Sequence, residues 1–118
     1  MAKAGDEYRE LVGNVVRALE PGATVRTEQW IEGPDGDRDM DVEVRGTLNG
    51  QPQFVLIECK DHRRPVGIGY VDAFESKRRD LKPNRSIMFS NSGFTDDGLN
   101  KARRVGIEMV TNRGSPRG

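Results

Sequence analysis

The sequence predicts one α/β domain built on a mixed sheet, in the order helix, three strands, helix, strand, helix, strand. Three observations carry that reading. A helical apolar period occupies the first 20 residues, and alternating strand patterns joined by turn residues follow as far as Lys60. Beyond Lys60, helical segments alternate with short apolar runs, as parallel crossovers require. A length of 118 residues suits a single domain with one hydrophobic core.

The elements follow in order. Tyr8, Leu11, Val12, Val15, Val16 and Leu19 recur at helical spacing and form one apolar stripe. Asp6 suits an N-cap, and Pro21-Gly22 stops the helix. Glu10, Asn14 and Arg17 lie on a different side of it. Val25 to Ile31 reads as a strand, and Glu32 to Asp37 as the turn after it. From Asp39 to Gly46 the pattern alternates, with Met40, Val42 and Val44 on one face and Asp39, Asp41 and Glu43 on the other. Asn49-Gly50 is a strong hairpin signal. In the next strand, Phe54 to Lys60, Val55, Ile57 and Cys59 share one face, and Phe54, Leu56, Glu58 and Lys60 the other. Apolar residues on both faces mark a central strand covered on each side.

Pro65 and Val66 lead into a helix whose inward line is Val71, Phe74, Arg78 and Leu81, with the Arg78 stem lying over apolar surface. Pro83-Asn84 ends it, and Ser86 to Ser90 is a short buried strand. After Asn91-Ser92-Gly93, Thr95 caps a helix bearing Leu99, Ala102 and Val105. Asp96 and Asp97 suit its first turn, although Gly98 stands where a full capping box has an acidic residue. Gly106 closes that helix and Ile107 to Thr111 is the last strand. Residues 112–118, polar and rich in proline and glycine, are expected to form a flexible tail on one domain spanning 1–118.

Composition excludes several classes. No run approaches 18 apolar residues, and the amino end lacks the apolar segment of a signal peptide, so no membrane partner and a cytoplasmic location are expected. The single cysteine, Cys59, excludes an internal disulfide, and with His62 it cannot complete a structural zinc site. Charge is neutral in total, 19 basic against 19 acidic side chains, but unevenly distributed. Residues 1–59 carry 6 basic and 12 acidic groups, and residues 60–118 carry 13 and 7. An acidic half beside a basic one can hold a polyanion against bound metal ions.

The informative constellation is Asp41, Glu58 and Lys60. Glu58 and Lys60 are two apart in a strand and project to the same face. Counted outward from the Asn49-Gly50 turn, Asp41 stands at a distance similar to that of Glu58, so two carboxylates and an ammonium converge on the sheet. Carboxylate oxygens bind Mg²⁺, which polarises a phosphodiester and acidifies bound water, while a lysine can stabilise the transition state. Asp39 is an extra carboxylate on the same strand face.

Asp39-Met40-Asp41-Val42, the strand ending Ile57-Glu58-Cys59-Lys60, and Ser90-Asn91-Ser92-Gly93-Phe94-Thr95 together resemble the PD-(D/E)XK nuclease superfamily, and more narrowly its Mrr-like restriction endonuclease domain. The similarity runs from about Tyr8 to Thr111, with Met40 where the superfamily name has proline. The resemblance implies a restriction-endonuclease-like core, a mixed central sheet of αβββαβαβ order flanked by helices. It implies that Asp41 and Glu58 bind a divalent metal, Mg²⁺ with Mn²⁺ as a substitute, helped by the Cys59 carbonyl. Lys60 then assists catalysis, and a first-helix glutamate, Glu10 in preference to Glu7, joins the site.

The expected function is a Mg²⁺-dependent DNA endonuclease that hydrolyses phosphodiester bonds. Arg63, Arg64, Lys77, Arg78, Arg79 and Asn91 are the expected DNA contacts. One active site per chain makes a homodimer the expected arrangement for double-strand cleavage. A structure-selective nuclease such as a Holliday-junction resolvase is the alternative within enzymes, and a catalytically inactive DNA-binding module the alternative outside them. His62 is expected to face DNA or solvent, and Trp30 is left between the core and an interface.

Overall fold

A computed structural model of the chain, describing residues 4–111, centres on one strand, β3 (Gln51–Lys60). β3 pairs antiparallel with β2 (Gly36–Leu48) and parallel with β4 (Arg85–Ser90). β1 (Thr24–Gly33) lies antiparallel beyond β2, and β5 (Glu108–Thr111) lies parallel beyond β4, giving the order β1-β2-β3-β4-β5. The helices α1 (Ala4–Leu19), α2 (Ile68–Leu81) and α3 (Asp96–Val105) complete the expected order of elements. Among the described residues no helix is long and apolar enough to cross a membrane.

The sheet is covered on both faces, so the core is two clusters rather than one. Leu56 of β3 faces α2 and α3, where it meets Val66, Val71, Phe74, Met88, Ala102 and Ile107. Its neighbour Ile57 faces α1 and packs with Tyr8, Val12, Val25, Val42 and Val44. Each side chain so buried contributes about 1.5–3 kcal/mol. The alternation of β3 thus feeds both layers, as its two apolar faces predict.

The α1 stripe is narrower than its periodicity predicts. Tyr8 and Val12 are buried, but Leu11, Val15 and Leu19 are 56%, 46% and 73% exposed. The cause is a close crossing at Gly13, where a Cβ would stand 3.0 Å from the Thr27 methyl, so a single line of the helix touches the sheet. The helix already includes Ala4, which places Asp6 within it, paired with Arg9 at 2.9 Å, rather than at the N-cap. Trp30 is 69% exposed and belongs to no core cluster.

Alternation also fails at one point in β2. Met40 packs in the cluster beneath α2, whereas Val42 and Val44 pack beneath α1. The β1–β2 register passes from Thr27↔Val42 to Gln29↔Met40 without pairing Glu28 and Asp41, and Glu28 has φ +54°. The β2–β3 ladder ends at Val42↔Ile57. Asp41 therefore sits at a local twist where the β1–β2 ladder skips a pair and the β2–β3 ladder ends.

Local signals account for α2 and α3. Thr95 accepts a hydrogen bond from the Gly98 amide at 3.1 Å. Gly98 replaces the acidic member of a capping box because a Cβ there would approach the Val66 carbonyl to 3.0 Å. Gly106, at φ +85°, closes α3 as expected. In α2 the inward line includes a buried Glu75, whose Oε2 accepts from Arg78 Nη2 at 2.9 Å. Arg78 is held by that carboxylate rather than laid over the core.

Phe74→Ala should lower unfolding free energy by about 3–5 kcal/mol in urea titrations, because the ring is fully buried. The hydrogen bond from Arg78 holds the Glu75 carboxyl below its ordinary range. Its stabilisation is therefore present above the ordinary glutamate pKa of about 4.3 and lost as pH falls through the lower folded value. Glu75→Gln should lower the melting temperature at pH 7 and flatten its fall in acid.

Candidate active site

The twist at Asp41 builds the site. Where β2 parts from β3, the Cys59 amide donates to Asp41 Oδ2 at 2.8 Å, so a side chain closes the gap in the ladder. The same strand carries Glu58 and Lys60 onto the face that α2 covers. Lys60 Nζ lies 3.6 Å from Glu58 Oε2, and Lys77 Nζ reaches the same oxygen from α2 at 3.4 Å. Lys77 also donates to the Asp39 carbonyl at 2.8 Å and lies 3.2 Å from Asp39 Oδ1. Asp41, Glu58 and Lys60 are therefore brought together, with Lys77 added.

The first helix contributes differently from expectation. Arg9, not Glu10, turns toward the acidic cluster: its guanidinium lies 2.9 Å from Glu28 and 3.9 Å from Asp41 Oδ1. Glu10 has a half-exposed side chain 3.9 Å from Arg9, and no contact joins it to Asp41 or Glu58. A signal for Arg9 exists in the sequence, since it stands three residues before the buried Val12 and borders the inward line. Lys77 carries a similar signal, three residues after Phe74 and four before Leu81.

Electrostatics set the state of each group. Burial raises the Glu58 pKa, and the Asp41 charge raises it further, against the opposing pull of Lys77 and Lys60. Burial, then Asp41 and Glu58, push the Cys59 thiol far up, so its sulfur stays protonated. Asp41 uses Oδ2 on the Cys59 amide and Glu58 uses Oε2 on the two lysines. Among the described residues, Asp41 Oδ1 and Glu58 Oε1 accept no hydrogen bond. Asp41 Oδ1, 3.9 Å from Arg9, and Glu58 Oε1 belong to mutually repelling carboxylates and are hard oxygens of the kind that fits Mg²⁺, which needs few protein ligands and keeps several waters. No cluster of three or more His, Cys, Asp or Glu side chains with metal-holding geometry occurs among the described residues.

The expected DNA contacts divide into two groups. Lys77 and Arg78 are engaged by Asp39, Glu58 and Glu75. Asn91 buttresses the exit of β3: its amide N–H donates to the Lys60 carbonyl at 3.3 Å, its Oδ1 accepts from the His62 amide at 3.0 Å, and its Nδ2 donates to Asp61. Arg63, Arg64 and Arg79 are exposed, and Arg79 lies only at the 4.0 Å margin of Glu75.

A strand break that presents an aspartate beside a Glu-x-Lys strand end is the arrangement expected of a nuclease. The family described as Restriction endonuclease, represented by the Mrr catalytic domain, matches residues 2–113. The chain belongs to this restriction endonuclease family. No curated protein matches it. A repair endonuclease from Pyrococcus abyssi superposes with a TM-score of 0.64 at 20% identity, covering 94% of this chain and 47% of its own. The DNA modification-dependent restriction endonuclease AspBHI gives 0.64 at 16%, covering 91% and 28%. A crystal structure of a protein of unknown function gives 0.70 at 23%, covering 92% and 59%. These likenesses are of fold, and the chain spans less than two thirds of each of those structures.

Asp41→Ala should cost about 1–3 kcal/mol in urea unfolding, since it strands the Cys59 amide, while Asp41→Asn, which keeps an acceptor oxygen, should cost less. Cys59→Ala should leave the site's backbone contacts in place and shift the melting temperature only slightly.

Proposed function

We propose that this Mrr-family domain is a metal-dependent endodeoxyribonuclease. The observation that carries the reading is the convergence of Asp41, Glu58 and Lys60 at the strand break, with one oxygen of each carboxylate left without a hydrogen-bond donor. Asp41 and Glu58, with the Cys59 carbonyl, would hold a Mg²⁺ ion, for which Mn²⁺ would substitute. When bound, the ion supplies polarisation of the phosphodiester and a water of lowered pKa.

The chain's own residues supply the rest. Lys60 places an ammonium beside Glu58, where it stabilises charge developing on the phosphoryl oxygens and supports the attacking water. Lys77 fixes Glu58 and the Asp39 backbone together, so the β1–β2 hairpin, the β3 strand and α2 hold one geometry. Arg9 balances the acidic cluster from the side of α1. Arg63 and Arg64, three and four residues beyond Lys60 and without a side-chain partner among the described residues, are suited to the DNA backbone, and Arg79 extends that surface along α2. Cleavage of both strands by a domain with one site requires two copies or two successive nicks.

The test is a cleavage panel of linear, supercoiled, modified and branched DNA in Mg²⁺, Mn²⁺ and EDTA. Wild-type protein should cut in Mg²⁺ or Mn²⁺ and not in EDTA. Glu58→Ala and Lys60→Ala should each reduce the rate by at least roughly 100-fold while circular dichroism stays unchanged. Failure of the unmutated protein to cut any of these DNAs would reject the reading in favour of a binding module.

A further inference from the structure

Beside the carboxylate and lysine cluster opens a cleft of about 560 Å³, lined by His62, Arg63, Arg64, Pro65 and Tyr70. Tyr70 links the two places, because Lys60 Nζ lies 5.0 Å from its ring centroid. The backbone that forms the cleft wall is pinned from below. Asn91 Oδ1 accepts from the His62 amide at 3.0 Å, Ser92 Oγ donates to the Arg64 carbonyl at 2.7 Å, and the Val66 amide donates to the Gly93 carbonyl at 2.9 Å.

The side chains on this wall are left open. Arg63 and Arg64 are exposed and make no ion pair or side-chain hydrogen bond among the described residues. Tyr70 remains 47% exposed, although it is large, and its ring meets His62 edge to face at 4.8 Å. Gly67 and Gly69 flank Ile68 immediately before it. Neither has positive φ, and a Cβ on either would meet nothing within 4 Å. A glycine inside a helix costs about 1 kcal/mol relative to alanine. Gly67 is the N-cap of α2, a position that favours glycine, whereas Gly69 lies inside the helix with no packing contact to require it and leaves the surface beside Tyr70 without a side chain.

Holding a duplex backbone needs only cations. In paired DNA the base faces are covered by their neighbours, so a half-exposed ring beside a proline has nothing to meet there. An unpaired base does offer its face, and aromatic side chains flanked by arginines are the chemistry that receives it. We propose that this cleft seats an unpaired nucleotide of DNA next to the scissile phosphate, its base against Tyr70 and its flanking phosphate between Arg63 and Arg64. The position of that phosphate rests on the nuclease reading, whereas the affinity of the cleft is measurable without cleavage.

The experiment measures binding in EDTA, by fluorescence anisotropy at fixed salt, of a blunt duplex and of the same duplex with splayed arms. A second set of DNAs carries 2-aminopurine at the splayed junction. Splayed DNA should bind roughly tenfold tighter than duplex, with 2-aminopurine emission quenched. Tyr70→Ala should remove that preference and the quenching, and Tyr70→Phe should keep both. The double variant Arg63→Gln, Arg64→Gln should weaken splayed DNA and reduce the salt dependence of binding. Equal affinity for the two DNAs, or an equal loss on both in Tyr70→Ala, would overturn the proposal. Mg²⁺-dependent cutting of duplex with no preference for splayed arms overturns the cleft and leaves the nuclease reading standing. Selective binding of splayed DNA without cutting supports the cleft and rejects that reading.

Discussion

The hydrogen bond from the Cys59 amide to Asp41 Oδ2 is the constraint on which the site depends. It stands where the β2–β3 ladder stops after Val42↔Ile57, and a half-buried amide at that point needs an acceptor. Supplying it from a side chain lets the strands part without stranding the donor. It also turns an aspartate toward Glu58 on the neighbouring strand. The twist that permits this moves Met40 to one core cluster while Val42 stays in the other, so the break is locked by packing on both faces of the sheet.

Bringing two carboxylates together carries an electrostatic cost that three cations offset. At about 4 Å and an effective dielectric of about 20, two unit charges interact by about 4 kcal/mol, enough to decide which groups ionise. Lys60 comes from β3 itself, Lys77 from α2 and Arg9 from α1. Each layer of the domain therefore contributes one positive group. The site is thereby coupled to the helix packing: Lys77 stands one turn beyond the fully buried Phe74, so the core residue that anchors α2 also sets the reach of the ammonium.

The parts legible in the sequence were those governed by local period and by adjacency. The element order, the two-faced character of β3, the Thr95 cap, the Gly106 stop and the common face of Glu58 and Lys60 all follow from spacings of two to four residues. What escaped depended on partners distant in sequence. Helical spacing cannot reveal that Gly13 against Thr27 narrows the α1 contact and leaves Leu11, Val15 and Leu19 outside. Strict alternation cannot reveal a twist at Asp41, which needs the unusual φ of Glu28 on another strand. Lys77 and Asn91 read as DNA contacts and Arg9 carries no reading of its own, because the ion pairs of Lys77 and Arg9 and the three internal bonds of Asn91 form only when layers distant in sequence are assembled.

The same distinction changes the meaning of the chain's charge asymmetry. The basic excess of residues 60–118 is not all available to a polyanion. Lys77 faces Asp39 and Glu58, Arg78 holds Glu75, Lys101 lies 3.1 Å from Asp72, and Arg85 joins Glu108 through two contacts. In the other direction, Arg38 of β2 pairs with Asp80 of α2, fastening the acidic hairpin to the basic helix. Lys77 and Arg38 thus join the two halves, while Arg78, Lys101 and Arg85 are neutralised within the second. Arg63 and Arg64 remain free because Asn91, Ser92 and Gly93 hold their segment by its backbone, so no side-chain ion pair is needed to order it. Where a fold fixes a loop through main-chain bonds, its charged side chains stay available for a ligand, and here that loop leads directly out of the strand that carries Glu58 and Lys60.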